Sequence, residues 1–268
     1  MTREPTNREW NSEAYHRLSR PQFAWGQKVL DRLPLRGDET VADAGCGSGK
    51  VTAELLQRLP RGRVVAMDLS QNMLQTAREH LAAKFPGKVL FIAADLHDIP
   101  LDGVLDGVFS TAAFHWLPDH DRLFRSLVRA LKPGGWLEAQ CGGGPNLARV
   151  RERTVALMSR PDFAPFFAGW SPTWHYPDDI TTAERMRRAG FKEVKTSLEE
   201  APATLSDAQE YKEFLATVTL HRHIARIPDP AMRDRFMDEL ARQAAGDNPP
   251  FTLDYWRLNL SGRKPKNK

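Results

Sequence analysis

Between positions 40 and 140 short apolar runs alternate with segments whose apolar residues recur at helical spacing. The runs at 40–43, 63–68, 88–93, 104–110 and 136–140 read as strands. Between them Val51, Leu55, Leu56 and Leu59, then Met73, Leu74, Ala77 and Leu81, then Leu123, Phe124, Leu127, Val128 and Leu131 repeat every three to four residues, the pattern that buries one face of a helix. Local punctuation agrees. Pro60-Arg61-Gly62 stops the first helix, Ser70 can cap the second, and Lys132-Pro133-Gly134-Gly135 closes the third before its strand. This order predicts an α/β fold, a parallel sheet with crossover helices on both faces.

After Cys141-Gly142-Gly143-Gly144 the alternation stops. The stretch 158–177, rich in Pro, Phe and Trp, is expected to be an irregular lid. A helix near 182–189, a strand near 191–198, helical stretches at 206–227 and 230–245 and a last strand at 251–260 follow. The expected organisation is an N-terminal helical segment closing over a site (1–36), a cofactor-binding core (37–141), a lid insertion (142–180), a core helix and strand (181–200), a helical cap (205–247), a final core strand (248–262) and a basic tail (263–268).

Composition narrows the function classes. A chain of 268 residues with 41% hydrophobic positions can build a large core without staples. Cys46 and Cys141 fit no metal-ligand spacing, the first ten residues are charged and polar rather than a leader, and no run approaches the ~20 apolar residues of a membrane helix. The expectation is a cytoplasmic protein that uses neither membrane nor metal. The net charge is +4, and Arg263, Lys264, Lys266 and Lys268 account for it, leaving 34 basic against 34 acidic residues elsewhere. A neutral body with a solvated basic tail gives little support to a nucleic-acid partner.

Asp43-Ala44-Gly45-Cys46-Gly47-Ser48-Gly49 follows a strand and opens a helix, so its backbone can approach a nucleotide-like ligand at a helix N-terminus. A phosphate-binding P-loop would need Gly at Ala44 and a hydroxyl at Val51. In a dinucleotide fingerprint the third Gly would fall on Lys50, and the acid would not precede the loop. What remains, an acid followed by G-x-G-x-G, resembles motif I of class I S-adenosylmethionine-dependent methyltransferases. Asp68, 19 residues beyond Gly49, and Asp95 stand at the ends of the second and third strands, where that family places acids for the ribose and the adenine. An ionised carboxylate can accept from both ribose hydroxyls. The resemblance implies a Rossmann-like seven-stranded sheet with the last strand antiparallel, a mostly helical cap, S-adenosyl-L-methionine as cofactor, and cofactor contacts from Asp43, Gly45, Cys46, Gly47, Gly49, Asp68, Leu69, Met73, Asp95, Leu96 and Ala112.

Trp10, Tyr15, Pro21-Gln22, the block from Ala112 to His120 and the ending Asp254-Tyr255-Trp256-Arg257-Leu258-Asn259 look like the trans-aconitate methyltransferase group and its relatives, including juvenile hormone acid methyltransferases. Those enzymes esterify carboxylic acids, which are already ionised at neutral pH and need no general base. By that resemblance Gln22 and Trp116 hold the acceptor carboxylate through N–H groups. His115 orients the acceptor or, with a hydroxyl or amine acceptor of natural-product type, takes its proton. Tyr15, Trp170 and Trp174 are expected beside the acceptor. The partner is then a small molecule and the protein a monomer or homodimer. Two other classes stay open: a cofactor-binding protein without turnover, and a nicotinamide-dependent oxidoreductase on the same sheet. Two look-alikes carry less. Asn248-Pro249-Pro250-Phe251 stands before the last strand instead of after the fourth and reads as a turn, and His221-Arg222-His223 reads as a solvated helix face.

Overall fold

The computed structural model describes residues 20–171 and 174–266. In chain order its helices and strands are α1 (Arg20–Leu30), β1 (Thr40–Ala44), α2 (Lys50–Gln57), β2 (Arg63–Asp68), α3 (Gln71–Leu81), β3 (Val89–Ala93), β4 (Leu105–Thr111), α4 (His120–Ala130), β5 (Leu131–Gly142), α5 (Ala148–Met158), α6 (Asp179–Ala189), β6 (Lys192–Glu200), β7 (Ala203–Thr204), α7 (Ala208–Phe214), α8 (His221–Ile224), α9 (Pro230–Ala244), β8 (Thr252–Leu253) and β9 (Trp256–Arg263).

Seven strands form one sheet in the order β3-β2-β1-β4-β5-β9-β6. Strands β1 to β5 pair in parallel, and β9 runs antiparallel to β5. Successive strand residues point to opposite faces, so Val41 joins Leu55, Leu59, Ala77 and Leu81 while Ala42 joins Leu123, Phe124, Leu127 and Met186. The sheet therefore has a helix-covered core on each side, as the alternation predicts. Strand order reverses at β1, between β2 and β4, and the crevice beyond the carboxyl ends of such strands is where open α/β sheets bind ligands.

The chain divides into two compact units. Among the described residues, one comprises those up to Gly144, His175–Glu199 and those from Arg257 onward, and holds the seven-stranded sheet. The other comprises Pro145–Trp174 and Glu200–Trp256, with the two-stranded sheet β7-β8 and a core that includes Phe163, Phe167, Tyr211, Phe214 and Phe236.

Five local features differ from the sequence pattern. Strand β5 begins at Leu131 instead of Trp136: Leu105 pairs with Leu131 and Gly107 already with Trp136, so 132–135 form a bulge that Gly134 accommodates at φ 81°. Helix α5 follows Leu147, which has φ 55° and no side-chain cap, so the chain carries no start signal there. The stretch 206–227 is not one helix, because a π-turn at Leu215–Thr219 separates α7 from α8. Beyond that turn His223 lies 2% exposed, its ring centroid 4.8 Å from that of Trp170 and 4.6 Å from that of Trp174, and the solvated-face reading fails. Finally, 251–260 divides into β8 and β9, and β9 continues to Arg263, with Lys264 Nζ donating to the Leu131 carbonyl (2.7 Å). The basic end is thus tied to the sheet up to that point.

Candidate active site

The glycine loop is held by the end of β2. Gly45 and Cys46 both donate backbone N–H to the Met67 carbonyl, and Gly47 N–H donates to Asp68 Oδ2 (2.9 Å) while Ser70 N–H donates to Asp68 Oδ1 (2.9 Å). Two glycines are required for different reasons. At Gly45, with φ 83°, a Cβ would stand 2.3 Å from that of Ala113, whereas at Gly47, with φ 54°, a Cβ would meet nothing within 4 Å. Gly45 closes the loop against the β4 end; Gly47 leaves an open cradle.

That cradle belongs to a pocket open to solvent, lined by Gln22 and Phe23 of α1, Asp43, residues 45–48, Lys50, Val51, Thr111 and Ala112. Of the residues expected to touch the cofactor, Asp43, Gly45, Cys46, Gly47 and Ala112 come together here. Gly49 instead caps α2 and packs against Ala77 and Leu81. Asp68 supports the loop, Leu69 is 42% exposed beside it in sequence, Met73 and Leu96 are buried, and Asp95 caps a short 3₁₀ turn with Oδ1 near His97 Nδ1 (2.8 Å). Phe23, Thr111 and Lys50, whose ammonium sits 5.1 Å above the Phe23 ring, add to the lining and carry no motif by which sequence could have found them.

Burial pushes Asp43 up to about 7; the Thr52 hydroxyl, donating at 2.7 Å, opposes the rise and the Asp68 charge adds to it. Burial, with Asp68 and Asp43 nearby, also holds the Cys46 thiol well above its ordinary value, so it is no nucleophile.

Of the residues expected to meet the acceptor, Gln22 lines this pocket while His115 and Trp116 are not part of its lining; Gln22 is 8% exposed and its Oε1 has no hydrogen-bond partner among the described residues. It faces the pocket instead of bulk solvent. His115 and Trp116 form a 3₁₀ turn after β4, their rings 5.0 Å apart, with Tyr176 5.8 Å from His115. The Gly142 N–H donates to His115 Nδ1 (3.2 Å). A ring nitrogen that accepts is unprotonated, so the neutral imidazole carries its proton on Nε2. Burial above all, then the Arg257 charge and His120, keeps this ring well below its ordinary pKa. Trp170 and Trp174 belong to the second unit, packed on His223. Tyr15 and Trp10 lie outside the described residues.

The sheet order, the acid-led glycine loop and the crevice beyond β1 and β4 together define a class I S-adenosylmethionine-dependent methyltransferase. A methyltransferase-domain family model matches residues 41–135. The trans-aconitate 2-methyltransferase of Deinococcus radiodurans is 30% identical over 235 residues, covering 85% of this chain and 87% of that protein. That of an Azoarcus strain is 37% identical over 131 residues, and there the match spans about half of each chain, 49% of this one and 50% of the relative. The phosphoethanolamine N-methyltransferase 2 of Haemonchus contortus, solved with S-adenosylhomocysteine, shares the fold at TM-score 0.63 and 18% identity over 95% of this chain and 57% of that one. The chain belongs to the trans-aconitate 2-methyltransferase family, whose cofactor is S-adenosylmethionine. The open cradle at Gly47 and the orphaned Gln22 Oε1 fit that group.

Proposed function

We propose that this protein, acting in the cytoplasm, transfers a methyl group to a carboxylate oxygen of a small organic acid and releases a methyl ester. The observation that carries this reading is the His115 tautomer. With Nδ1 engaged by the Gly142 N–H, the ring presents a donor to an acceptor and no lone pair to take its proton. Trp116 follows His115 in the same turn, and in this reading the Trp116 indole N–H and the Gln22 amide serve as further donors. Such a site suits an acceptor that arrives ionised and argues against a hydroxyl or amine that must lose a proton. The names of the trans-aconitate relatives point the same way.

In this reading the backbone of residues 45–47 and Asp43 hold the amino-acid end of the cofactor, Asp68 accepts from the ribose, and Leu69, Met73, Asp95 and Leu96 surround the adenine. When bound, S-adenosylmethionine would supply an electrophilic methyl group with a neutral thioether as its leaving group, so that the lone pair of an ionised acceptor oxygen would suffice as nucleophile. No proton moves. The residues of this chain therefore work by orienting the acceptor and excluding water, and near-attack positioning is where such a reaction gains its rate.

The test is a panel of mono- and polycarboxylic acids with S-adenosylhomocysteine release as the readout. The expected product is an ester hydrolysed by mild base; a product stable to base would overturn the carboxylate reading. Cofactor affinity without release on any acceptor would leave a binding protein.

A further inference from the structure

Arg257 is the feature of this unit that the proposed chemistry does not use. It is 2% exposed, on β9, at the register position opposite Gly142 of β5. Gly142 is the residue whose N–H holds His115. The guanidinium lies 4.4 Å from the centroid of Trp25, one helical turn along α1 from Gln22, and its Nε donates to Gln140 Oε1 (3.3 Å). Gln140 is oriented in turn: its Nε2 donates to Asn259 Oδ1 (2.8 Å), which also accepts from Arg32 (2.9 Å). A cation is thus held inside the sheet's carboxyl end, aimed by an amide relay and backed by an indole face. It is close enough to His115 and to Cys141 to bias the protonation of both.

A charge held in a low-dielectric interior acts over several ångströms with little screening, and its pull scales with the charge brought near it. We infer that Arg257 is the residue that selects acceptors by charge, favouring acids with two or three carboxylates over those with one. The inference rests on the carboxylate reading of the same site and names the side chain that grades it. A fixed cation also serves the neutral state of His115, since it disfavours an imidazolium and so preserves the Nε2–H donor.

The experiment measures, for Arg257→Gln and Arg257→Lys, the affinity of propanoate, succinate and propane-1,2,3-tricarboxylate for the S-adenosylhomocysteine complex by calorimetry, beside kcat/KM for each acid that turns over. Arg257→Gln is expected to weaken the acids in order of charge, about tenfold per additional carboxylate, and to leave S-adenosylhomocysteine affinity within twofold. Arg257→Lys is expected to restore most of the ordering. Equal losses for all three acids, no loss, or a Lys variant no better than Gln would overturn the inference. Should Arg257→Gln not fold, Gln140→Ala keeps the charge but removes the oxygen that aims it; a smaller loss with the same ordering supports the role and an unordered one refutes it. The unsubstituted enzyme separates the two levels: turnover of hydroxyl acceptors alone removes the carboxylate reading and this inference with it, whereas ester formation with unordered variants removes only the inference.

Discussion

At the residue scale, the two loop glycines make different predictions although both have positive φ. Gly45→Ala drives a Cβ into Ala113 and should destabilise the fold by a few kcal/mol, about what core overpacking costs. Gly47→Ala costs only the ~1 kcal/mol of a left-handed non-glycine residue, yet it fills the cradle. Calorimetry should find S-adenosylhomocysteine affinity lowered tenfold or more with a melting temperature nearly unchanged. Asp43 gives a pH signature. Its folded pKa is raised from 3.8 to about 7, so between those values the folded state holds a proton that the unfolded state has lost. Its contribution to stability is therefore greatest below 3.8, falls as pH rises through that window, and levels off above it. Asp43→Asn should abolish the fall, seen as a gap between the two melting curves that widens from pH 4 to pH 7. The same ionisation should make S-adenosylhomocysteine, with its cationic amino group, bind more tightly as pH passes 7.

Elements depend on a few close approaches. On β4, a Cβ at Gly107 would stand 2.1 Å from the Trp136 ring of β5, so an indole occupies the space that a side chain would need. Gly107→Ala should cost several kcal/mol, and pairing it with Trp136→Leu should recover a good part of the loss in a double-mutant cycle, because both changes act on one contact. Helix α1 is another case. Gln22 and Trp25 lie three apart, one facing the pocket and the other under Arg257. In sequence this helix reads as part of an N-terminal segment closing over the site, with Gln22 singled out by resemblance alone. Its register against the sheet, not its composition, removes the Gln22 amide from solvent.

For the molecule as a whole, the carboxy-terminal end is part of the sheet. Trp136, Leu137 and Glu138 pair with Arg263, Gly262 and Ser261, and the Ser261 hydroxyl donates to Glu138 Oε1 (2.6 Å). Deleting residues 261–268 should therefore lower the melting temperature by many degrees, while deleting 265–268 should change it little; thermal denaturation of both truncations distinguishes a strand from a tail. Much of this protein was legible in the order of its residues. Hydrophobic period and glycine punctuation give the parallel sheet and its crossover helices, and an acid-led glycine loop with acids after two further strands points to the nucleoside end of the cofactor. Each of these signals lies in neighbouring residues or in the spacing from one element to the next. What only the tertiary structure decided depends on partners distant in sequence: that the Gly142 N–H makes His115 a donor, that β9 returns Arg257 to that same point, that Gln22 is buried, and that His223 packs on two indoles. Such choices follow from burial and from which backbone group lies across the ladder, and neither is encoded in the neighbours of the residue concerned.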